Sequence, residues 1–135
     1  MFTTYILIFE KARASDVRLR TRSVFMEEGS YLYVGSAKRG LEKRISRHLT
    51  KRKKRFWHID YITARRDVAA RAVFLSSLAE CETLRAVSSL GALLGHKLGS
   101  SDCTCPSHVV HVTEMHSDFV AGRLGRLGFV QFSPV

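Results

Sequence analysis

The sequence predicts an α+β domain: a small, mainly antiparallel β-sheet flanked by α-helices. Two early segments, residues 4–9 and 31–34, are β-branched and aromatic and are joined by a mostly polar stretch, which favours an antiparallel pair. From Leu41 the apolar residues recur every fourth position, the period of a helix laid on that sheet. The chain has 135 residues, 45% of them hydrophobic and 25% charged, which suits one modest core and excludes global disorder.

Taken in order, Thr4-Tyr5-Ile6-Leu7-Ile8-Phe9 is too short for a stable helix and reads as a buried first strand. Residues 10–23 are polar, five of them Lys or Arg, and read as a loop. Glu28-Gly29-Ser30 is a turn signal before a second strand, Tyr31-Leu32-Tyr33-Val34, which Gly35 stops. Leu41, Ile45 and Leu49 form the apolar stripe of an amphipathic helix. A basic run, Lys51-Arg52-Lys53-Lys54-Arg55, leads into Phe56, Trp57, Ile59, Tyr61 and Ile62, a short packed segment with helical character.

Residues 68–75 suit a third strand. Residues 78–94 carry apolar side chains at 78, 81, 84, 87, 90 and 94, a second long helix that ends near Gly95. Residues 99–102 are a loop and residues 109–112 a further strand. In the last twenty residues Gly122, Gly125 and Gly128 surround Arg123 and Arg126, which reads as a loose basic segment closing in an edge strand at residues 129–132. With no internal repeat and no long linker, residues 1–135 are read as one domain with a basic Gly/Arg-containing segment at about 115–135.

Twenty-two Lys and Arg against twelve Asp and Glu leave a net charge of +10. A small domain this basic meets phosphate, on a nucleic acid or a membrane surface. No apolar run approaches the ~18–20 residues of a membrane helix. Residues 2–9 lack a basic leader and run straight into Glu10 and Lys11, unlike a signal peptide. Three cysteines, Cys81, Cys103 and Cys105, are too few for a secreted disulfide scaffold. The expected setting is therefore the cytoplasm, and the expected partner is DNA or RNA rather than a membrane.

The most informative string is Tyr33-Val34-Gly35-Ser36-Ala37-Lys38, followed by Glu42-Lys43-Arg44 and His48 and preceded by Thr3-Thr4-Tyr5. Together these residues resemble the GIY-YIG nuclease family, named for two short strand motifs that each contribute a Tyr. A helix bearing an Arg, often with a His four residues later, follows them. Tyr5 takes the third position of the first motif and Tyr33 the first of the second, while Arg44 and His48 match the helix pair. The resemblance covers residues 3 to about 90. Trp57-His58-Ile59-Asp60-Tyr61 and the run from Gly99 to Cys105 are similar to a small stand-alone prokaryotic subgroup.

The resemblance implies a metal-dependent endonuclease that hydrolyses phosphodiester bonds in DNA, with structured repair or recombination substrates among the options. It implies that Tyr5, Tyr33 and His48 handle water activation and proton transfer, with the base being Tyr5 or Tyr33. Arg44 would stabilise the phosphoryl charge. The residue types suit those tasks: Arg presents a planar fork to phosphate, and His takes a proton near neutral pH. An unperturbed Tyr, with a pKa near ~10, needs help to act as a base.

The family also holds one divalent metal, Mg²⁺ or Mn²⁺, on a Glu of a later helix. Glu80 shares a helix face with Leu84 and Val87 toward the core, whereas Glu82 faces Arg85 at the surface. A carboxylate on a core-facing stripe needs a metal or a partner, so Glu80 is the candidate ligand. The chain contains no asparagine, although many family members use one beyond the metal helix; Asp102 and His108 are the candidates for its place.

Residues 38–55 hold ten Lys or Arg and one acid, Glu42. Lys38, Arg47, Lys51, Arg52, Lys53, Lys54 and Arg55 are accordingly expected to contact a nucleic-acid backbone without sequence preference. Phe56 and Trp57 at the edge of this ridge are expected to pack in the core rather than stack on an unpaired base. His58 and Asp60, with Asp102 and His108, are candidates for hydrogen-bonding the reactive side chains from behind. Cys103-x-Cys105 with His108 has the residue types of a zinc site completed by Cys81 or His111. The spacing is shorter than the usual C-x₂₋₄-C, so thiols packing a tight loop are preferred to zinc. The alternative to a nuclease is a non-catalytic DNA- or RNA-binding module on the same fold.

Overall fold

Strand β1 (Thr4–Lys11) runs through the middle of the sheet in the computed structural model, which describes residues 2–95, 98, 105, 107–112 and 116–133. It is buried on both faces, which is why its sequence is an unbroken apolar run. Tyr5, Leu7 and Phe9 point to one face and Ile6 and Ile8 to the other, as the two-residue period of a strand requires. Antiparallel neighbours flank it: β4 (Gly29–Ser36) and β5 (Val68–Ser76). Outside these lie β7 (Val109–Val112), β6 (Ala92–Leu93) and β8 (Val130–Phe132), giving the order β6-β7-β4-β1-β5-β8. All of these pairings are antiparallel.

One face of the sheet packs against α1 (Leu41–His48) and α2 (His58–Thr63) through Ile45, Ile59 and Ile62. The other packs against α3 (Glu80–Val87) and α4 (Ser117–Arg126) through Leu84, Val87, Val120 and Leu124. Each such aliphatic side chain contributes about 1.5–3 kcal/mol on full burial. A helix of eight residues is marginal in isolation, so α1 depends on this contact for its existence. The predicted α+β class, with its mainly antiparallel sheet, is the observed one, and β8 is the expected edge strand.

Four local expectations are corrected. Residues 10–23 are not simply a loop: β2 (Ser15–Arg18) pairs with β3 (Ser23–Met26) in a separate ribbon, and Val17 and Met26 within it and Leu19 just after β2 are buried. The first helix stops at His48, so His48 rather than the exposed Leu49 completes its inner face. The second long helix ends at Val87, passes through one 3₁₀ turn and becomes β6. Gly91 permits this, because a Cβ there would lie 2.0 Å from the His111 carbonyl oxygen. The C-terminal basic segment contains α4; Val120 and Leu124, four apart, hold it down while Gly122 and Gly125 face open space.

Among the described residues no helix is long and apolar enough to cross a membrane. A cavity of about 510 Å³ lies toward the far end of β1, lined by Glu10, Lys11, Asp67 and Arg71 among others. Lys11 is fully buried there, with its ammonium 2.6 Å from the Asp67 carboxylate. The chemistry predicted from the sequence gathers at the opposite end, where β1 begins and β4 and β5 finish.

Candidate functional site

Register brings the two tyrosines together. Gly35 lies opposite Tyr5 and Tyr33 opposite Leu7, so the tyrosine rings lean toward each other across Gly35, with centroids 6.1 Å apart. A Cβ on residue 35 would sit 2.5 Å from Tyr5 Oη and 2.8 Å from Tyr33 Cε2. Glycine at this position of the motif is thus a demand of space.

Helix α1 then lays His48 against both rings, with centroids 5.3 Å from Tyr5 and 5.6 Å from Tyr33. Tyr5 Oη lies 2.5 Å from His48 Nε2. The Arg44 charge lies close enough to favour the ionised Tyr5 oxygen, and the hydroxyl and Nε2 share one hydrogen bond whose direction follows the imidazole tautomer. The other ring nitrogen, Nδ1, is buried and has no hydrogen-bond partner among the described residues. A buried polar atom left without a partner costs about 1–3 kcal/mol. Arg44 Nε is likewise buried without a partner among those residues.

Burial sets the protonation of the group. It pushes the Tyr5 hydroxyl well above its ordinary range, Tyr33 adds to the rise and the Arg44 charge opposes it. Tyr33 is also raised by burial, against the pull of Arg44 and with a push from Glu80. His48 is driven down to about 3 by burial, with the Lys53 charge acting in the same direction. At neutral pH the two hydroxyls and the imidazole are therefore uncharged.

Glu80 opens α3 and is half-buried, while Glu82 two residues on is exposed. Its Oε2 accepts from Ser36 Oγ at 3.2 Å, and its Oε1 lies 3.0 Å from His108 Nδ1. His108 has thus been brought to the carboxylate that the sequence singled out. A carboxylate offers about four lone-pair directions, so Glu80 keeps capacity for a cation. Asp102 and Cys103 lie outside the described residues.

Behind Arg44 stands an aromatic ledge. The Arg44 guanidinium carbon is 4.0 Å from the centre of the Trp57 ring, and that of Arg47 is 5.2 Å from Phe56. Phe56 is 63% and Trp57 38% exposed, which corrects the expectation that they pack in the core. The cause is Asp60, fully buried at the start of α2, whose Oδ2 accepts from the Phe56 and Trp57 amides at 2.8 and 3.0 Å. The same oxygen accepts from Arg47 Nη2 at 3.0 Å. Burial pushes this carboxyl up, but Arg47 and the two amides outweigh it and hold it below its usual range. Asp60 thereby fixes both rings beside the arginines. His58 is half-buried at the head of α2.

The basic ridge divides into two kinds of residue. Lys51 Nζ donates to the carbonyls of Thr63 at 2.9 Å and Arg65 at 2.7 Å, and also to Val68. Lys53 Nζ donates to Arg47 O at 2.8 Å and Thr63 Oγ1 at 2.6 Å, and burial brings its pKa down to about 8. The Lys51 ammonium pins the segment to α2 and β5, and that of Lys53 pins it to α1 and α2. Arg47 is similarly engaged, donating to the Lys54 carbonyl as well as to Asp60. Lys38, Arg52, Lys54 and Arg55 are exposed.

A family profile described as Domain of unknown function DUF123 matches residues 4–127. The chain belongs to the DUF123 family. The match runs from the first residue of β1 to the residue after α4, so every site residue named here lies within the DUF123 domain. Comparison with curated proteins and with solved structures yields no match.

Proposed function

We propose that this DUF123 domain is a metal-dependent endonuclease that hydrolyses phosphodiester bonds in DNA, on the plan of the GIY-YIG nucleases its motifs resemble. The observation that carries this reading is convergence. Tyr5 and Tyr33 from two strands, Arg44 and His48 from α1, and Glu80 from α3 meet at one end of the sheet, with Glu80 near enough to raise both tyrosines.

Arg44 supplies a guanidinium for the phosphate oxygens, and its buried Nε, without a partner among the described residues, is a donor that a phosphate oxygen would satisfy. On this reading Tyr5 Oη takes a proton while its own moves to His48 Nε2, 2.5 Å away, with Tyr33 alongside as a second donor. Glu80, an oxygen donor at a helix start, fits a hard cation such as Mg²⁺ or Mn²⁺. Such an ion, when bound, neutralises charge on the phosphate and acidifies coordinated water. The exposed Lys38, Arg52, Lys54 and Arg55 extend the positive surface along a nucleic-acid backbone.

A second reading, a DNA- or RNA-binding module, is favoured by one feature: Tyr5 and His48 are sealed from solvent and uncharged. The two readings separate in one experiment, measuring binding and Mn²⁺-dependent cleavage of the same labelled DNAs. Cleavage that Glu80→Gln abolishes while binding persists supports the nuclease. Binding without cleavage supports the module.

A further inference from the structure

Cys81, Cys105 and His108 each offer a ligand atom, and all three atoms lie within 4.8 Å of one another. Cys81 comes from α3, and the other two from the segment that leads into β7. Around a single tetrahedral zinc ion, sulfur and nitrogen ligands stand about 3.5–3.8 Å apart, given Zn–S near ~2.3 Å and Zn–N near ~2.0 Å. The side chains are therefore close to that spacing before any ion is added.

We propose that these three residues form a site for a soft divalent cation of the Zn²⁺ class, distinct from the hard-cation position at Glu80. The donor types decide the class: two thiols and an imidazole select zinc over magnesium or manganese, which take oxygen. The setting is recessed, with His108 1% exposed and both cysteines half-buried as thiols. Glu80 Oε1 lies 3.0 Å from His108 Nδ1, close enough for the carboxylate to steady the ring if Nε2 takes the metal. The His108 carbonyl also accepts from the Val34 amide at 3.0 Å, which ties the segment to β4. An ion here would clamp α3 to that segment and hold Glu80 in place through its histidine. Each thiol loses its proton on binding, so one Zn²⁺ taken up by two thiols releases two protons, and affinity rises with pH. The sequence offers Cys81 as one completion of a Cys105 and His108 site, while its C-x-C spacing argues against zinc; the fold brings Cys81 to those two residues.

The test uses the full chain purified under reducing conditions without chelator, with metal content measured and the apo form titrated with Co²⁺. The expected results are one equivalent of zinc per chain and the intense visible absorption of tetrahedral cobalt with thiolate charge transfer. Cys81→Ser and Cys105→Ser should each lose the charge-transfer band or shift it. Glu80→Gln keeps every ligand, and should weaken zinc about 10–100-fold as a lost carboxylate partner does. A weak octahedral cobalt spectrum in the native protein would overturn the proposal. So would a Cys81–Cys105 disulfide, read as the loss of two hydrogens in the mass of protein purified under these reducing conditions. Zinc binding without DNA cleavage would leave this proposal standing and count only against the nuclease.

Discussion

The Tyr5 hydroxyl oxygen lies 2.5 Å from His48 Nε2, although the two residues are 43 positions apart in the chain. Both side chains are buried, and the contact ties the start of β1 to the last turn of α1. Burial of His48 at this contact sets the acid stability of the protein, and the contact itself is the proton path proposed for its chemistry.

Acid stability follows from His48. Its folded pKa of about 3 lies below the ordinary value of 6.5 given for the free side chain. A group depressed in this way contributes stability that is complete above the unfolded pKa and is lost as pH falls through that value toward the folded one. Between about pH 7 and pH 5 the unfolded chain takes up the proton and the folded one does not, which removes about 2 kcal/mol. Urea unfolding at the two pH values should show this loss, and His48→Gln should abolish most of it. Equal pH slopes in both proteins would contradict the assignment. Asp60, held low by Arg47 and two amides, loses its contribution only at more acid pH.

Gly35→Ala tests the packing of the motif. The added methyl would meet Tyr5 Oη and Tyr33 Cε2 at under 3 Å, so the rings must shift. The expected cost is about 1–3 kcal/mol, as for overpacking in a core. A change in the near-ultraviolet tyrosine signal should accompany it. A variant as stable as the native protein with an unchanged tyrosine spectrum would show that the rings do not crowd this position.

The basic ridge should respond in two ways. Lys51→Met removes an ammonium shared by three backbone carbonyls and should lower the midpoint of urea unfolding. Arg52→Ala and Arg55→Ala, both exposed, should leave that midpoint unchanged. Each should instead reduce the salt dependence of DNA binding by about one unit of slope. The opposite pattern, with Lys51 governing the salt slope, would place its ammonium outside.

What the sequence made legible, and what it hid, has physical causes. The run from Tyr5 to Phe9 announces a strand buried on both faces, because nothing else accommodates consecutive large apolar residues at that length. The tyrosines, Arg44 and His48 were legible because their spacing carries a recognisable order along two strands and a helix. Val17 and Leu19 do alternate as a strand should, but arginines on either side hide the period. In α4, Gly122 and Gly125 suggest a loop only if their surroundings are unknown; both face empty space, and Val120 and Leu124 decide the outcome. Phe56 and Trp57 read as core from ring size alone, yet a buried carboxylate 3–4 residues on holds their amides and keeps the rings outside. The meeting of Cys81 with Cys105 and His108 is tertiary, and no local spacing encodes it.

The most direct test of the nuclease reading is a cleavage time course with the native chain and Mn²⁺ on labelled duplex, flapped, branched and single-stranded DNA. Arg44→Ala and Tyr33→Phe, each first shown to unfold at the native urea midpoint, are run beside it. The predicted result is metal-dependent cutting of at least one substrate by the native chain and loss of about 100-fold or more in both variants. Native protein that binds these DNAs and cuts none of them, or variants that cut at the native rate, would contradict it.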